Sequence, residues 1–416
     1  MHRINLFKFT VHALLKGDKM KPLRFNYEKT VSTHGVGIAD AARELAEMFT
    51  DGYYLWLARL YDRQTGGFYY ADSSRDNEGF LPDIESTCQA LGILRGIGMG
   101  DSSELPERMK EEIIRFTKSL QDQGDGYFYH KQWGKDITPS RRGRDLDSSV
   151  GVLRSLGSKP DYPTALERIL NQGSGESAST VPDYLKSKEA FIAWLDEMNI
   201  SERSYPKGHM LDSLSSQIKA AGLADVCVDY LNEKQFADSG LWENTENYQS
   251  ANGMLKISTV YPRFKREFPN VYNAAETQIR TALSDEPTVG ITDIYNPWVA
   301  LNILSENARD YGAPGVYEAI RARINENAPA LLRKTKEKLM TFSKPDGSFS
   351  YCHTHSSATS QGAPASLGVF EGDVNASALA LVTARHPFKL LGIDAGAMTD
   401  ESDRREFLRT AGHPID

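Results

Sequence analysis

The feature that most narrows what this chain can fold into is a glycine-aromatic turn that keeps returning ahead of an apolar helix. It occurs as Gly66-Gly67-Phe68, Gly124-Asp125-Gly126-Tyr127-Phe128, Gly240-Leu241-Trp242 and Asp346-Gly347-Ser348-Phe349. Counted on Gly67, Gly126, Gly240 and Gly347, the gaps are 59, 114 and 107, so the last two are about twice the first. Skipped copies then fall near 183–205 and 293, where Ser204-Tyr205-Pro206-Lys207-Gly208-His209 and Val289-Gly290-Ile291-Thr292-Asp293-Ile294-Tyr295 stand. Thr33-His34-Gly35-Val36-Gly37 reads as a weak first copy. A recurring period is the mark of a repeat architecture.

Apolar residues at three- and four-residue spacing follow the turns and predict helices. They run over 84–94 (Cys88, Leu91, Leu94), 146–156 (Val150, Leu153, Leu156), 210–218 (Leu211, Leu214, Ile218), 298–304 and 374–382. More polar helices are expected over 106–120, 183–198 and 328–342, and no long alternating strand pattern appears. Two helices per period of about 55–60 residues make six or seven hairpins. A hairpin cannot bury both faces alone, whereas a ring of hairpins hides its inner helices. The expected fold is therefore all-α, an (α/α)6–7 toroid with long polar loops at one end. Residues 1–32 form an N-terminal extension with a first helix, 33–395 the single toroid domain and 396–416 a C-terminal tail. An open helical solenoid is the alternative.

A net charge of −8 over 416 residues argues against a general nucleic-acid surface, which needs basic patches. Cys88, Cys227 and Cys352 are odd in number, far apart and without a CxxC pair, so they read as free thiols. No apolar run is long enough to span a membrane. The stretch 6–15 is interrupted by Lys8 and His12 and lacks a cleavage site, which makes it a poor signal peptide. The expected compartment is the cytoplasm, or outside it if a leader has been removed.

The turns Gln64-Thr65-Gly66-Gly67-Phe68 and Gln123-Gly124-Asp125-Gly126-Tyr127-Phe128 resemble the QW-type repeats of terpenoid-cyclase and prenyltransferase toroids. The longer polar loops resemble those of toroid polysaccharide lyases, including the glucuronan and alginate lyases of polysaccharide lyase family 38. That resemblance implies a lyase acting on an acidic polysaccharide, with Asn, His, Tyr and Arg performing the work. Cyclase chemistry is disfavoured, because Asp145-Leu146-Asp147 is followed by Ser148 where the DxDD motif needs an acid.

Chemistry is expected to converge on Thr245 to Lys256, where amides, a phenol and a lysine surround one helix start. A uronate lyase must hold the sugar carboxylate, remove the weakly acidic C5 proton and protonate the leaving oxygen. Asn247 and Asn252 would neutralise the carboxylate, His209 would be the base, and Tyr248 or Tyr295 the acid. Arg141, Arg142 and Arg144 lie together in what reads as a loop, and guanidinium forks suit carboxylates. Lys256, His353, His355 and Glu371 are further substrate-binding candidates, and Trp133, Trp242 and Trp298 are candidate sugar platforms. Structural roles compete: Asn247 as a helix cap, Tyr295 as packing under Pro297-Trp298, and the tryptophans as core. His353-x-His355 lacks a third ligand at recognisable spacing, so no metal and no cofactor is expected. A toroid glycoside hydrolase is the second reading, needing two carboxyl groups from among Glu85, Asp147, Asp212, Glu246 and Glu371. A non-catalytic glycan-binding toroid is the third.

Overall fold

The computed structural model describes residues 25–165, 167 and 183–414. The 6–15 stretch lies outside them. The described chain is all-α apart from two-residue hairpins. Its helices are α1 (Tyr27–His34), α2 (Val36–Ala46), α3 (Asp51–Arg59), α4 (Asp72–Arg75), α5 (Ile84–Ile97), α6 (Glu107–Lys118), α7 (Pro139–Ser155), α8 (Lys188–Met198) and α9 (Ser204–Ala220). Then come α10 (Ala224–Lys234), α11 (Tyr248–Ser258), α12 (Val260–Phe264), α13 (Val271–Leu283), α14 (Thr292–Tyr311), α15 (Val316–Met340), α16 (Val374–Leu391) and α17 (Glu401–Thr410). The hairpins are β1 (Tyr61–Asp62) with β2 (Gly67–Phe68), and β3 (Thr359–Ser360) with β4 (Ala363–Pro364). Among the described residues no helix is long and apolar enough to cross a membrane.

Six helix pairs stand out: α3/α5, α6/α7, α8/α9, α10/α11, α13/α14 and α15/α16. The second members are neighbours in the order α7–α5–α16–α14–α11–α9. Of the first members, α6 lies against α7, α13 against α14 and α15 against α16, with α13 also beside α15 and α15 beside α2. The apolar faces of both sets form one continuous core running from Ile38 to Ala411.

Four of the six second helices are introduced by the recurrent turn, and the structure shows why it is glycine followed by an aromatic. Gly66, Gly126, Gly240 and Gly347 all have positive φ, between 70° and 93°. At Gly347 an added Cβ would also lie 2.6 Å from the Tyr53 backbone nitrogen, so the turn packs directly on the start of α3. The aromatic that follows is a buried wedge in each case: Phe68, Phe128, Trp242 and Phe349. The wedge then fastens the next helix. The Phe68 N–H donates to Thr87 Oγ1 (3.0 Å) and its carbonyl accepts from Asp83 N (3.2 Å). The same pair recurs at Phe349, with Ser377 Oγ (3.1 Å) and Asp373 N (2.8 Å). Asp83 and Asp373 in turn cap α5 and α16, accepting from Ser86 N and Ala376 N.

Three second helices begin earlier than their apolar spacing predicts. α7, α9 and α14 start at 139, 204 and 292 rather than 146, 210 and 298. Their opening turns are polar and carry Pro139, Pro206 or Pro297, which disguise them as loop. Pro139 and Pro206 sit in a first helical turn, where the N–H that proline lacks has no partner, whereas Pro297 lies inside α14. At the other end, α17 packs on α3, with Tyr54 Oη donating to Asp403 Oδ1 (3.2 Å). His413 Nε2 lies 2.8 Å from Glu112 Oε2, which also accepts from Tyr61 Oη (2.9 Å). The described segment 396–414 thus closes against α3, α6 and the first recurrent turn.

Replacing Gly347 by Ala combines left-handed strain, about 1–3 kcal/mol, with a backbone clash. Urea unfolding of Gly347→Ala is expected to show a loss of at least that size, against less than about 0.5 kcal/mol for Gly143→Ala, whose added Cβ meets nothing within 4 Å.

Candidate functional site

Polar residues four apart interrupt the otherwise apolar second helices, and four apart on a helix means one face. The pairs are Glu85 and Gln89 on α5, Tyr205 and His209 on α9, and Asn252 and Lys256 on α11. Arg144 on α7, Tyr295 on α14 and Asn375 on α16 complete the set.

Two glycines let α9 and α11 approach until their polar stripes meet. A Cβ on Gly253 would lie 1.8 Å from Ser204 Oγ, and one on Gly208 would lie 3.0 Å from Lys256 Cβ. Lys256 Nζ consequently sits 5.7 Å from the centre of the Tyr205 ring. From α7, Arg144 reaches the same place. Its positive charge depresses the proton affinity of His209 and Lys256 and opposes the rise at Tyr205 and Tyr295. One guanidinium therefore faces groups on α9, α11 and α14. On the far side, Gln89 Nε2 donates to Asn375 Oδ1 (3.0 Å), and Asn252 Nδ2 donates to Asp293 Oδ1 (3.1 Å). Asp293 is held by the Val289 and Gly290 N–H groups at 2.8 and 3.2 Å.

Burial sets the protonation of these groups. It pushes the His209 imidazole below its ordinary 6.5, helped by Lys256 and Arg144 and opposed by Asp212. It lowers the Lys256 ammonium and raises the Tyr205 and Tyr295 phenols. At neutral pH the site thus holds a neutral imidazole and two intact phenols beside cations. Among the described residues the His209 ring, Lys256 Nζ and the Tyr205 and Tyr295 hydroxyls have no hydrogen-bond partner, and Asn252 Oδ1 and Gln89 Oε1 are buried and unpartnered. Half-buried polar groups left without an internal partner on neighbouring helices can bond a ligand.

The structure separates the three arginines expected in one loop. They lie on the opening turns of α7, where about 100° per residue splays neighbours apart. Arg141 is 0% exposed and is spent on Asp145 (2.8 Å), Asp83 (3.2 Å), Glu85 (3.1 Å) and the Ser360 carbonyl (3.3 Å). Arg142 stacks over Tyr127, 4.8 Å from its ring centre. Arg144 alone reaches the site, paired with Glu85, which also accepts from Ser360 Oγ (2.7 Å).

Other candidates prove structural. Asn247 caps α11, its Oδ1 accepting from Ser250 N (2.9 Å). Tyr248 is buried and accepts from Lys338 Nζ (2.6 Å), whose ammonium burial brings down to about 8. Trp242 and Trp298, each 1% exposed, donate to Leu231 O and Thr335 Oγ1 from within the core, so neither offers a face to a sugar. Trp133 stacks on His130, with Arg141 on its ring. Glu371 clamps α4, accepting from Ser73 N (2.7 Å) and Ser356 Oγ (2.9 Å). His353 and His355 are exposed and pair with Thr288 and Thr354. Among the described residues no three His, Cys, Asp or Glu side chains gather as a metal-ligand set.

Tyr205 is the main residue the sequence reading passed over. Its signal was present: it stands four positions before His209. No protein-family model, curated protein or solved structure matches the chain.

Arg141 neutralises buried carboxylates, and removing one partner of such a cluster costs about 3–5 kcal/mol. Arg141→Met is expected to lose stability on that scale in denaturant unfolding, whereas Arg142→Met should stay within about 1 kcal/mol.

Proposed function

We propose that the six second helices line the inside of an (α/α)6 toroid, and that their shared polar face cleaves a uronic-acid-containing glycan of glucuronan or alginate type by β-elimination. The observation that carries this reading is the cluster of unpartnered imidazole, phenol, amide-oxygen and ammonium groups on three neighbouring helices, α9, α11 and α14. Lys256 and the second Asn252 Nδ2–H, beside the one given to Asp293, hold the uronate carboxylate and stabilise the charge that builds on it as the C5–H bond weakens. His209, neutral at pH 7, accepts the C5 proton. Tyr295, on the neighbouring helix and with a free hydroxyl, gives its proton to the glycosidic oxygen at C4. The C4–O bond breaks as the C4=C5 double bond forms, and proton exchange with water resets both residues. The tie to Lys338 removes Tyr248 from this role.

Elimination fits the acids better than hydrolysis does. Of the five carboxyl groups available for a hydrolytic pair, Glu246 is bound to Arg280 (2.8 Å), Asp212 to Arg263 (2.9 Å) and Thr259 (2.6 Å), and Glu85 and Glu371 are engaged as described. Asp147 alone has no hydrogen-bond or ion-pair partner among the described residues, and one carboxyl group is not a pair.

Incubation with glucuronan and alginate is expected to produce the ultraviolet absorbance of an unsaturated sugar. New reducing ends without absorbance would mean hydrolysis, and binding without either would mean a glycan-binding protein. Tyr295→Phe should lower kcat on the order of 10²–10⁴-fold, while Tyr248→Phe leaves the product detectable at near wild-type rate. The base must be neutral to act, so activity is present above the His209 pKa and is lost as pH falls through it. The acid limb of kcat/KM is accordingly expected below 6.5, the ordinary imidazole value.

A further inference from the structure

Among the described residues, Lys256 is the cation of the site without an anion. Arg141 is enclosed by three carboxylates and Arg144 is paired with Glu85. The Lys256 ammonium has neither a hydrogen bond nor an ion pair among the described residues, only the face of Tyr205 at 5.7 Å. The acid that most favours its charge is Asp212, and Asp212 is already held by Thr259 Oγ1 and Arg263. A half-buried ammonium left in this state is poised for an anion from outside the chain.

The same ammonium acts on His209 from α11, whose Lys256 Cβ lies 3.0 Å from the Cβ position of Gly208, next to His209 on α9. The charged and titratable groups around that imidazole are Lys256 from α11, Arg144 from α7 and Asp212 from its own helix. Tyr205, one turn earlier on α9, lies close enough to Tyr295, Tyr351 and Asp293 for them to raise its proton affinity. In the free protein burial lowers the proton affinity of His209 most, and Lys256 and Arg144 lower it further.

We propose that Lys256 receives the carboxylate of the sugar acid and that this neutralisation turns His209 into an effective base. The substrate thereby raises the basicity of the group that attacks it. Binding a neutral sugar leaves the field of Lys256 in place and the imidazole weak, so selection for acidic glycans acts on the chemical step as well as on affinity. The catalytic half of this inference rests on the elimination reading. The charge coupling between anion, Lys256 and His209 does not.

Two measurements keep those halves apart. The His209 imidazole resonance, assigned by its loss in His209→Gln, is followed by NMR against pH with no ligand, with D-glucuronate and with D-glucose. Glucuronate is expected to move the wild-type titration upward by about half a unit or more, the scale of one charge at about 10 Å in a half-buried site. Glucose should leave it unmoved. In Lys256→Met the titration should start higher and respond little to glucuronate. With polymer, the acid limb of kcat should lie at higher pH than that of kcat/KM, since the two report the bound and free enzyme. That gap should close in Lys256→Met. An unmoved wild-type titration at saturating glucuronate, or the same shift in Lys256→Met, overturns the proposal. A glucuronate-dependent shift in a protein that releases no unsaturated product sustains the Lys256 anchor and removes the elimination reading instead.

Discussion

Each recurrent turn acts less as a connector than as a fastening between two helices. Its glycine lets the backbone press against a neighbouring element, and its aromatic drives a wedge into the core. In the first and last pairs the wedge residue's own N–H and C=O then bond to the first turn of the helix that follows. Phe68 with Asp83 and Thr87, and Phe349 with Asp373 and Ser377, use the same atoms in the first and last pairs. Glu85 and Asn375, each two residues beyond its aspartate cap, therefore occupy matching positions on adjacent helices. Gln89 touches both of them, at 3.5 and 3.0 Å. The backbone fastening is what brings polar helix starts to a common level.

Charge is distributed over that level in two tiers. Beneath it, Arg141 is wholly buried and holds Asp83, Glu85 and Asp145 together, a cluster whose worth lies in specifying geometry more than in net stability. Above it, Arg144 borrows one of those carboxylates and faces the open groups of α9, α11 and α14. The tiers meet at Glu85, which takes a bond from each arginine and from the β3–β4 hairpin through Ser360. Because the lower cluster is self-sufficient, the unpaired positive charge of the site belongs, among the described residues, to Lys256.

Much of this was legible in the chain. The glycine-aromatic turns and the spacing of apolar residues locate the six second helices, and His209, Asn252, Lys256 and Tyr295 stand out as candidates near helix starts once the lyase resemblance is added. The errors share a cause. Polar opening turns carrying proline read as loop, so the arginines appeared as one patch although helical rotation sends them to a core, a ring and a site. Asn247, Trp242 and Trp298 carry residue types suited to sugars, and only their partners reveal a cap and two core anchors.

The amino-acid sequence by itself determined the helical class, the positions of the turns and the supply of polar residues at helix starts, because these depend on backbone conformation and local periodicity. Tertiary structure decided which of those residues share a space. Gly208 and Gly253 have no visible relation along the chain, yet their missing side chains set the distance between α9 and α11. Whether a lysine meets a carboxylate or a tyrosine ring depends on that distance, and no local pattern encodes it.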